Sequence, residues 1–314
     1  MYAALFFCRR KIFQKNFEKD LTSYSFCVII NIEITKEVDA VNSEKEFLSQ
    51  YRIEDYERPS VTADVAAFTI RTEDKSNYRR NPEPRLLLLL IRRGGHPYKD
   101  MWALPGGFLQ SDETIEECAL REIREETNVQ PVSIMPVGVF SKPGRDPRGW
   151  IISNAYVSII SEESVKQAGG DDASDAQWFA VSFDCGENGD YQLTLTYGDT
   201  VLKAILAEEK THFGRTSFRI IDSGGLAFDH ASIIASALTA LREEAKNYEA
   251  VFDFLPETFT LTAMQKVQET IMNVSVLPAN FRRMVSGYVE ETDEFVRGEG
   301  HRPAKLYRRK QLAQ

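Results

Sequence analysis

The chain has 314 residues, 43% of them apolar and 27% charged, a balance that excludes collagen, coiled coil and wholesale disorder as descriptions of the whole. About two domains are expected at this length, large enough to bury a core without disulfide or metal staples. With 38 basic against 47 acidic residues the net charge is −9, which excludes a uniformly basic nucleic-acid coat but leaves room for a local basic patch.

Cys8, Cys27, Cys118 and Cys185 show no CxxC spacing, so no zinc knuckle or redox motif is indicated. Scattered thiols fit a reducing compartment, and a cytoplasmic location is expected. No window approaches the ~20 apolar residues that span a bilayer, so no membrane association is expected.

Residues 1–45 read as an N-terminal extension. Met1–Phe17 is basic and acid-free, as in a transit peptide or a frayed terminus, and lacks a small-residue cleavage site. Phe26–Ile34 has the character of one strand. From Ser60 the pattern sharpens. Ser60–Arg71 is β-rich, a polar loop with Asn81-Pro82 and Pro84 follows, and Arg85–Arg92 reads "RLLLLLIR". Continuous apolar character over so few residues predicts a strand covered on both faces.

After Gly94-Gly95 and "HPYKDMWALPGGF" comes a helix with clear punctuation. Thr114 and Glu117 form a capping box. Ile115, Cys118 or Ala119, and Ile123 supply a buried stripe. Asn128, with Pro131 shortly after, marks the C-terminus. Strands are expected over Val132–Phe140, Ile151–Ile160 and Ala176–Phe183, which predicts a mixed sheet with helices packed on it. Residues 184–225 read as an insertion with hairpin chemistry. Beyond 226, helices are predicted over Ala231–Lys246, 259–273 with Thr260 or Thr262 as cap, and Pro278–Tyr288 with proline in the first turn. A glycine-containing segment then leads into Pro303–Arg309, so the end of the chain has the plan of a winged helix-turn-helix.

The most informative stretch is Gly107–Val129. Glu122, Glu125 and Glu126 stand at i, i+3 and i+4, on one helical face. Three carboxylates so placed either form a solvated charged face or surround a hard divalent cation such as Mg²⁺ or Mn²⁺. Arg121, four residues before Glu125, is placed to hold that carboxylate by a bidentate pair. The Gly106-Gly107 turn lets backbone groups approach a metal or phosphates closely.

The spacing Gly107-x5-Glu113-x7-Arg121-Glu122-Ile123-Arg124-Glu125-Glu126-x-Asn128-Val129 resembles the Nudix box, with Asn128 in place of its usual glycine. Segments 59–70, 102–108 and 141–156 resemble the ADP-ribose branch of that superfamily. Segments 226–234, 259–261, 280–283 and 300–308 resemble the winged helix of its NAD-related transcriptional regulators. The resemblance implies an α/β (α+β) architecture, a Nudix mixed-sheet α/β/α sandwich over 46–225 followed by a winged helix-turn-helix over 226–314.

It also implies roles. Glu122, Glu125 and Glu126 would bind Mg²⁺ or Mn²⁺ with a backbone carbonyl near Gly106, Arg121 would orient Glu125, and Glu113 would support helix and loop. Arg121, Glu122, Glu125 and Glu126 are thus the candidate catalytic set of a pyrophosphohydrolase acting on an ADP-ribose-like nucleoside diphosphate compound. A non-catalytic ADP-ribose-sensing repressor of NAD or sugar metabolism genes is the alternative. The intact carboxylate set favours hydrolysis.

Candidate substrate contacts are Arg92, Trp102, Gly107, Arg145, Asp146 and Arg148. The last three sit on a proline- and glycine-rich loop, where ligand contact competes with simple charge pairing. Trp102 and Tyr98 would flank an adenine ring or pack under their loop. His230 reads as a packing residue at a helix start, and Cys118 as core. From Arg282 onward eight basic residues stand against five acidic ones, the local positive charge that phosphate contact requires. Asn280, Arg282, Arg283, Arg302 and Lys305 are the candidate operator-DNA contacts of the homodimer that the resemblance implies; a dimerisation module with a basic tail is the other reading.

Overall fold

The computed structural model describes residues 44–72, 83–167, 176–210, 216–296 and 303–311. The basic N-terminus, the Phe26–Ile34 strand, and Arg302 lie outside them. The described residues up to Glu57 fall in a unit separate from the rest. In it, helix α1 (Glu44–Gln50) precedes a 3-10 turn at Ile53–Asp55, and the rings of Phe47, Tyr51 and Tyr56 follow one another at 5.7 Å.

The second unit, from Arg58 on, is organised by one long sheet. Its elements run β1 (Ser60–Thr72), β2 (Pro84–Arg92), β3 (Trp102–Ala103), β4 (Gly106–Phe108), α2 (Ile115–Thr127), β5 (Ser133–Phe140), β6 (Ile151–Ile159), α3 (Glu162–Gln167), β7 (Ala176–Cys185), β8 (Tyr191–Tyr197), β9 (Thr200–Lys210) and β10 (Thr216–Asp222). Strand order is β10-β9-β8-β7-β2-β1-β6-β5, with β3 on β2 and β4 on β1. Among the strand pairs of the described residues, β1–β6 alone is parallel, and a single parallel bridge joins Trp102 to Leu226.

β2 shows why the apolar run is continuous. Leu86, Leu88 and Leu90 point into one cluster and Leu87 and Leu89 into another on the opposite face, as period-2 alternation requires when both faces are covered. The second cluster is roofed by α2 through Cys118, Ala119 and Ile123. The first is roofed by α4 (His230–Lys246), which buries Ile233, Ile234, Leu238 and Leu241. Each such side chain contributes about 1.5–3 kcal/mol when fully buried. The result is the expected α/β/α sandwich.

Residues 184–225 do more than form a hairpin. β7 runs on to Cys185, and β8, β9 and β10 extend the same sheet by antiparallel pairing. Leu193, Leu195, Leu202, Ala204, Leu206 and Phe218 turn one face inward, so this segment is continuous with the core.

The last part of the chain is α5 (Glu249–Asp253), β11 (Thr258–Phe259), α6 (Leu261–Met272), α7 (Pro278–Val285), β12 (Val289–Val296) and β13 (Ala304–Arg309). A second sheet, β11-β13-β12, supplies the wing. Thr260 caps α6, its hydroxyl accepting from the Ala263 amide at 3.1 Å; Phe259, expected to be helical, instead pairs with Tyr307. α7 stops at Val285, short of Tyr288. There the Ser286 hydroxyl donates back to the Arg283 carbonyl, and the chain passes through Gly287 into β12. Arg242 of α4 joins this region to the sheet. Its guanidinium donates to the carbonyls of Phe183 in β7 (3.2 Å) and Ile271 in α6 (3.2 Å), and burial pulls its pKa down. Among the described residues no helix is long and apolar enough to cross a membrane.

Candidate functional site

Helix α2 is fixed at both ends as the sequence predicts. The Thr114 hydroxyl accepts from the Glu117 amide at 3.2 Å while the Glu117 carboxylate accepts from the Thr114 amide at 2.7 Å. Asn128 closes the helix in the left-handed conformation, φ 57°, as its place in the box requires.

Between these ends the charged residues are tightly organised. The two-bond fork of Arg121 goes to Glu113, at 2.9 and 2.7 Å, and only a single 3.2 Å bond reaches Glu125. The bidentate pair expected at Glu125 therefore forms at Glu113, because the loop turned by Glu113, which accepts from the Gln110 amide at 3.0 Å, brings that carboxylate under the guanidinium. Arg121 also holds Glu122 at 2.7 Å and donates to the Phe108 carbonyl at 3.2 Å. These bonds hold the Glu113 carboxyl down to about 2 and raise the Arg121 pKa further.

Glu122 lies under the glycine turn. A Cβ at Gly107 would stand 2.2 Å from its carboxylate, so only glycine permits that approach. Glu126 accepts from the Gly106 amide at 2.9 Å. Although the residue is exposed, desolvation of its carboxylate under the glycine turn, with Glu122 and Asp64 nearby, lifts its pKa to about 7 against the Gly106 amide and Arg93. Glu125 is the outermost, its side chain 62% exposed. Among the described residues no three His, Cys, Asp or Glu side chains stand gathered as metal ligands: Arg121 draws Glu122 and Glu125, and the Gly106 amide draws Glu126. The donors themselves are hard oxygens beside a close-approaching backbone, the chemistry that Mg²⁺ or Mn²⁺ takes.

The glycine turn opens onto a pocket lined by Asp64, Arg93, Arg145, Arg148, Phe228 and His230, among others. Arg145, Asp146 and Arg148 line it, with their charges already engaged by carboxylates and guanidiniums of the chain. Asp146 is buried and takes the Arg148 guanidinium at 2.7 Å. Arg145 is held by Asp229 at 2.6 Å and faces Asp64 at 3.5 Å. Gly106 and Gly107 line the pocket too.

Two sequence candidates fall elsewhere. Arg92 points outward toward Asp100, 3.8 Å away. Its neighbour Arg93 faces the pocket, with Nε donating to the Pro97 carbonyl at 2.9 Å and its pKa lowered by burial and by Arg148. Trp102 packs edge-on against Phe179 at 4.8 Å, under its loop and away from the pocket; Tyr98 contacts Phe228 at 4.7 Å.

Asp64, Arg93, Phe228 and His230 are among the pocket residues that sequence reasoning missed. Asp64 is 7% exposed, hydrogen-bonded by the Ser153 hydroxyl and 3.8 Å from His230. An acid in the middle of an otherwise apolar strand was its available signal, since unpaired carboxylates are almost never buried. His230 is indeed buried at a helix start. Its Nδ1 accepts from the Leu104 amide at 2.9 Å and burial lowers its pKa, so the ring is neutral. Cys118 is core, its thiol pushed up to about 12 by burial and by Glu113.

On the winged helix, α7 buries Phe281 and Val285 and leaves Asn280, Arg282 and Arg283 exposed. Lys305 is paired with Glu291 across the wing.

Comparison with known proteins matches residues 65–183 to the NUDIX domain and residues 251–309 to the NrtR DNA-binding winged helix domain. The chain is 29% identical over 271 residues to the ADPR responsive transcriptional repressor NtrR of Acinetobacter baylyi, covering 85% of this chain and 88% of that one. It is 43% identical over 95 residues to the ADP-ribose pyrophosphatase of Methanocaldococcus jannaschii, covering 30% of this chain and 55% of that one. A crystal structure of a MutT/nudix family protein from Enterococcus faecalis superposes with TM-score 0.65 at 31% identity, covering 89% and 98% of the two chains. The sandwich with its glycine-turned carboxylate helix and the winged helix that follows place the chain in the Nudix superfamily, homologous to the NrtR regulators.

Proposed function

We propose that the chain is a homodimeric regulator that binds an ADP-ribose-like nucleoside diphosphate compound in the Nudix pocket and operator DNA through the winged helix. The observation that carries this reading is that Phe228 and His230, at the head of the helix leading into the winged helix, line the same pocket as the glycine turn. Ligand and DNA modules thereby share one rigid element. The repressor from Acinetobacter baylyi, whose name gives it ADP-ribose as its signal, supports this ligand.

A second reading has specific support: the carboxylate set is complete. Glu122, Glu125 and Glu126 would hold Mg²⁺ or Mn²⁺ with the Gly106 carbonyl, and the pyrophosphatase relative points to ADP-ribose as substrate. When bound, such an ion supplies charge neutralisation on the diphosphate and activation of water. Arg121 fixes Glu113, Glu122 and Glu125, while Arg93 and Arg148 offer positive charge at the pocket wall. Cleavage would consume one water and release AMP and a sugar phosphate. Incubating the purified chain with ADP-ribose and Mg²⁺ and following AMP decides the point: turnover makes the protein bifunctional, and none across a panel of nucleoside diphosphate compounds leaves a sensor only.

For the DNA module, Arg282→Ala with Arg283→Ala is expected to weaken binding to a palindrome upstream of the protein's own gene by about tenfold or more. The slope of log affinity against log salt should fall by roughly 2. Equal affinity of variant and wild type in a salt series would remove α7 from the interface.

A further inference from the structure

The pocket's deepest cation is already occupied by a carboxylate of the chain itself. Arg145 lines the pocket with its side chain 4% exposed. Asp229 grips its guanidinium twice, at 2.8 Å from Nε and 2.6 Å from Nη2. Asp229 is the N-cap residue of α4, where a carboxylate ordinarily accepts from first-turn amides. It makes no such bond; the side chain reaches instead to a residue 84 positions away.

Its neighbours are tied to the same pocket. His230 accepts from the Leu104 amide. Phe228 stands at φ 51°, a conformation uncommon for a bulky residue and typical of ligand clamps. Arg93 lies over its ring at 4.7 Å and Arg148 at 5.4 Å. Phe228 and His230 line the pocket and Asp229 between them grips its Arg145, and α4 packs further along against α6 of the winged helix.

We propose that Asp229 is an internal competitor for the pocket's anionic ligand. A diphosphate reaching Arg145 draws that guanidinium from Asp229, and the head of α4 loses its anchor. This rests on the ADP-ribose reading above and adds the residue through which filling the pocket is felt by the winged helix. Linkage makes the effect reciprocal: if ligand weakens the Asp229–Arg145 pair, the pair must weaken ligand by the same factor.

The test uses the full chain, ADP-ribose as probe, calorimetry for affinity and amide hydrogen exchange for α4. Asp229→Asn keeps the shape, and Asp229→Ser removes the charge while retaining a good cap. ADP-ribose is expected to accelerate exchange over residues 230–236 in the wild type. Both variants are expected to bind ADP-ribose about fivefold tighter or more and to lose most of that ligand-dependent acceleration. A merely structural Asp229 would give weaker binding. Unchanged or weaker affinity in both variants, or acceleration equal to wild type, overturns the proposal. Failure of the wild type to bind ADP-ribose at all overturns the sensor reading and this inference with it.

Discussion

If the chain hydrolyses ADP-ribose, Glu126→Gln is expected to lower its Mg²⁺-dependent release of AMP by at least about a hundredfold, with little change in thermal stability. The carboxylate stands on the Gly106 amide at the pocket rim, and desolvation together with Glu122 and Asp64 already disfavours its charge. Such a carboxylate gains most from a nearby cation, and the amide that replaces it carries no charge to offer. The substitution preserves shape and the bond from Gly106, so the fold has no reason to suffer. Steady-state turnover beside a melting curve makes the comparison. Wild-type turnover in Glu126→Gln would exclude Glu126 from the metal set, and a large fall in melting temperature would assign it to stability instead.

The largest stability effect is expected at Arg145. Arg145→Ala would leave Asp64 and Asp229 facing each other across a buried gap without their shared guanidinium. Removing one partner from a buried ion pair typically costs about 3–5 kcal/mol, a fall in melting temperature on the order of 10 °C for a unit of this size. Adding Asp229→Asn to Arg145→Ala should recover part of the loss, since the second change removes a stranded charge. Denaturant unfolding of the four proteins in that cycle measures the coupling; strict additivity would mean that the pair contributes nothing.

Much of this architecture is legible in the chain because local and global signals agree. The Leu86–Ile91 run, the Thr114–Glu117 box and Asn128 each name their own geometry, and each adopts it. Box residues are legible for the same reason: fixed spacing on a helix fixes a face. Arg93 was not, because a single residue of register decides which of two adjacent arginines at a strand end turns inward, and nothing local settles that register. Asp229 and His230 were not legible as site residues because they reach it through contacts with Arg145 and Leu104, more than 80 and 120 positions away. Residues 184–225 carried hairpin chemistry, yet their role as a sheet extension depends on the free edge of β7, which only the assembled sheet presents.

The most direct measurement is a calorimetric titration of ADP-ribose into the intact chain, with Mg²⁺ or Mn²⁺ and in their absence. One saturable site per chain is expected, with affinity at least about tenfold tighter when the divalent ion is present, since metal and diphosphate neutralise each other's charge. No saturable binding, or an affinity indifferent to the ion, would contradict a pocket in which the α2 carboxylates hold a cation beneath a pyrophosphate.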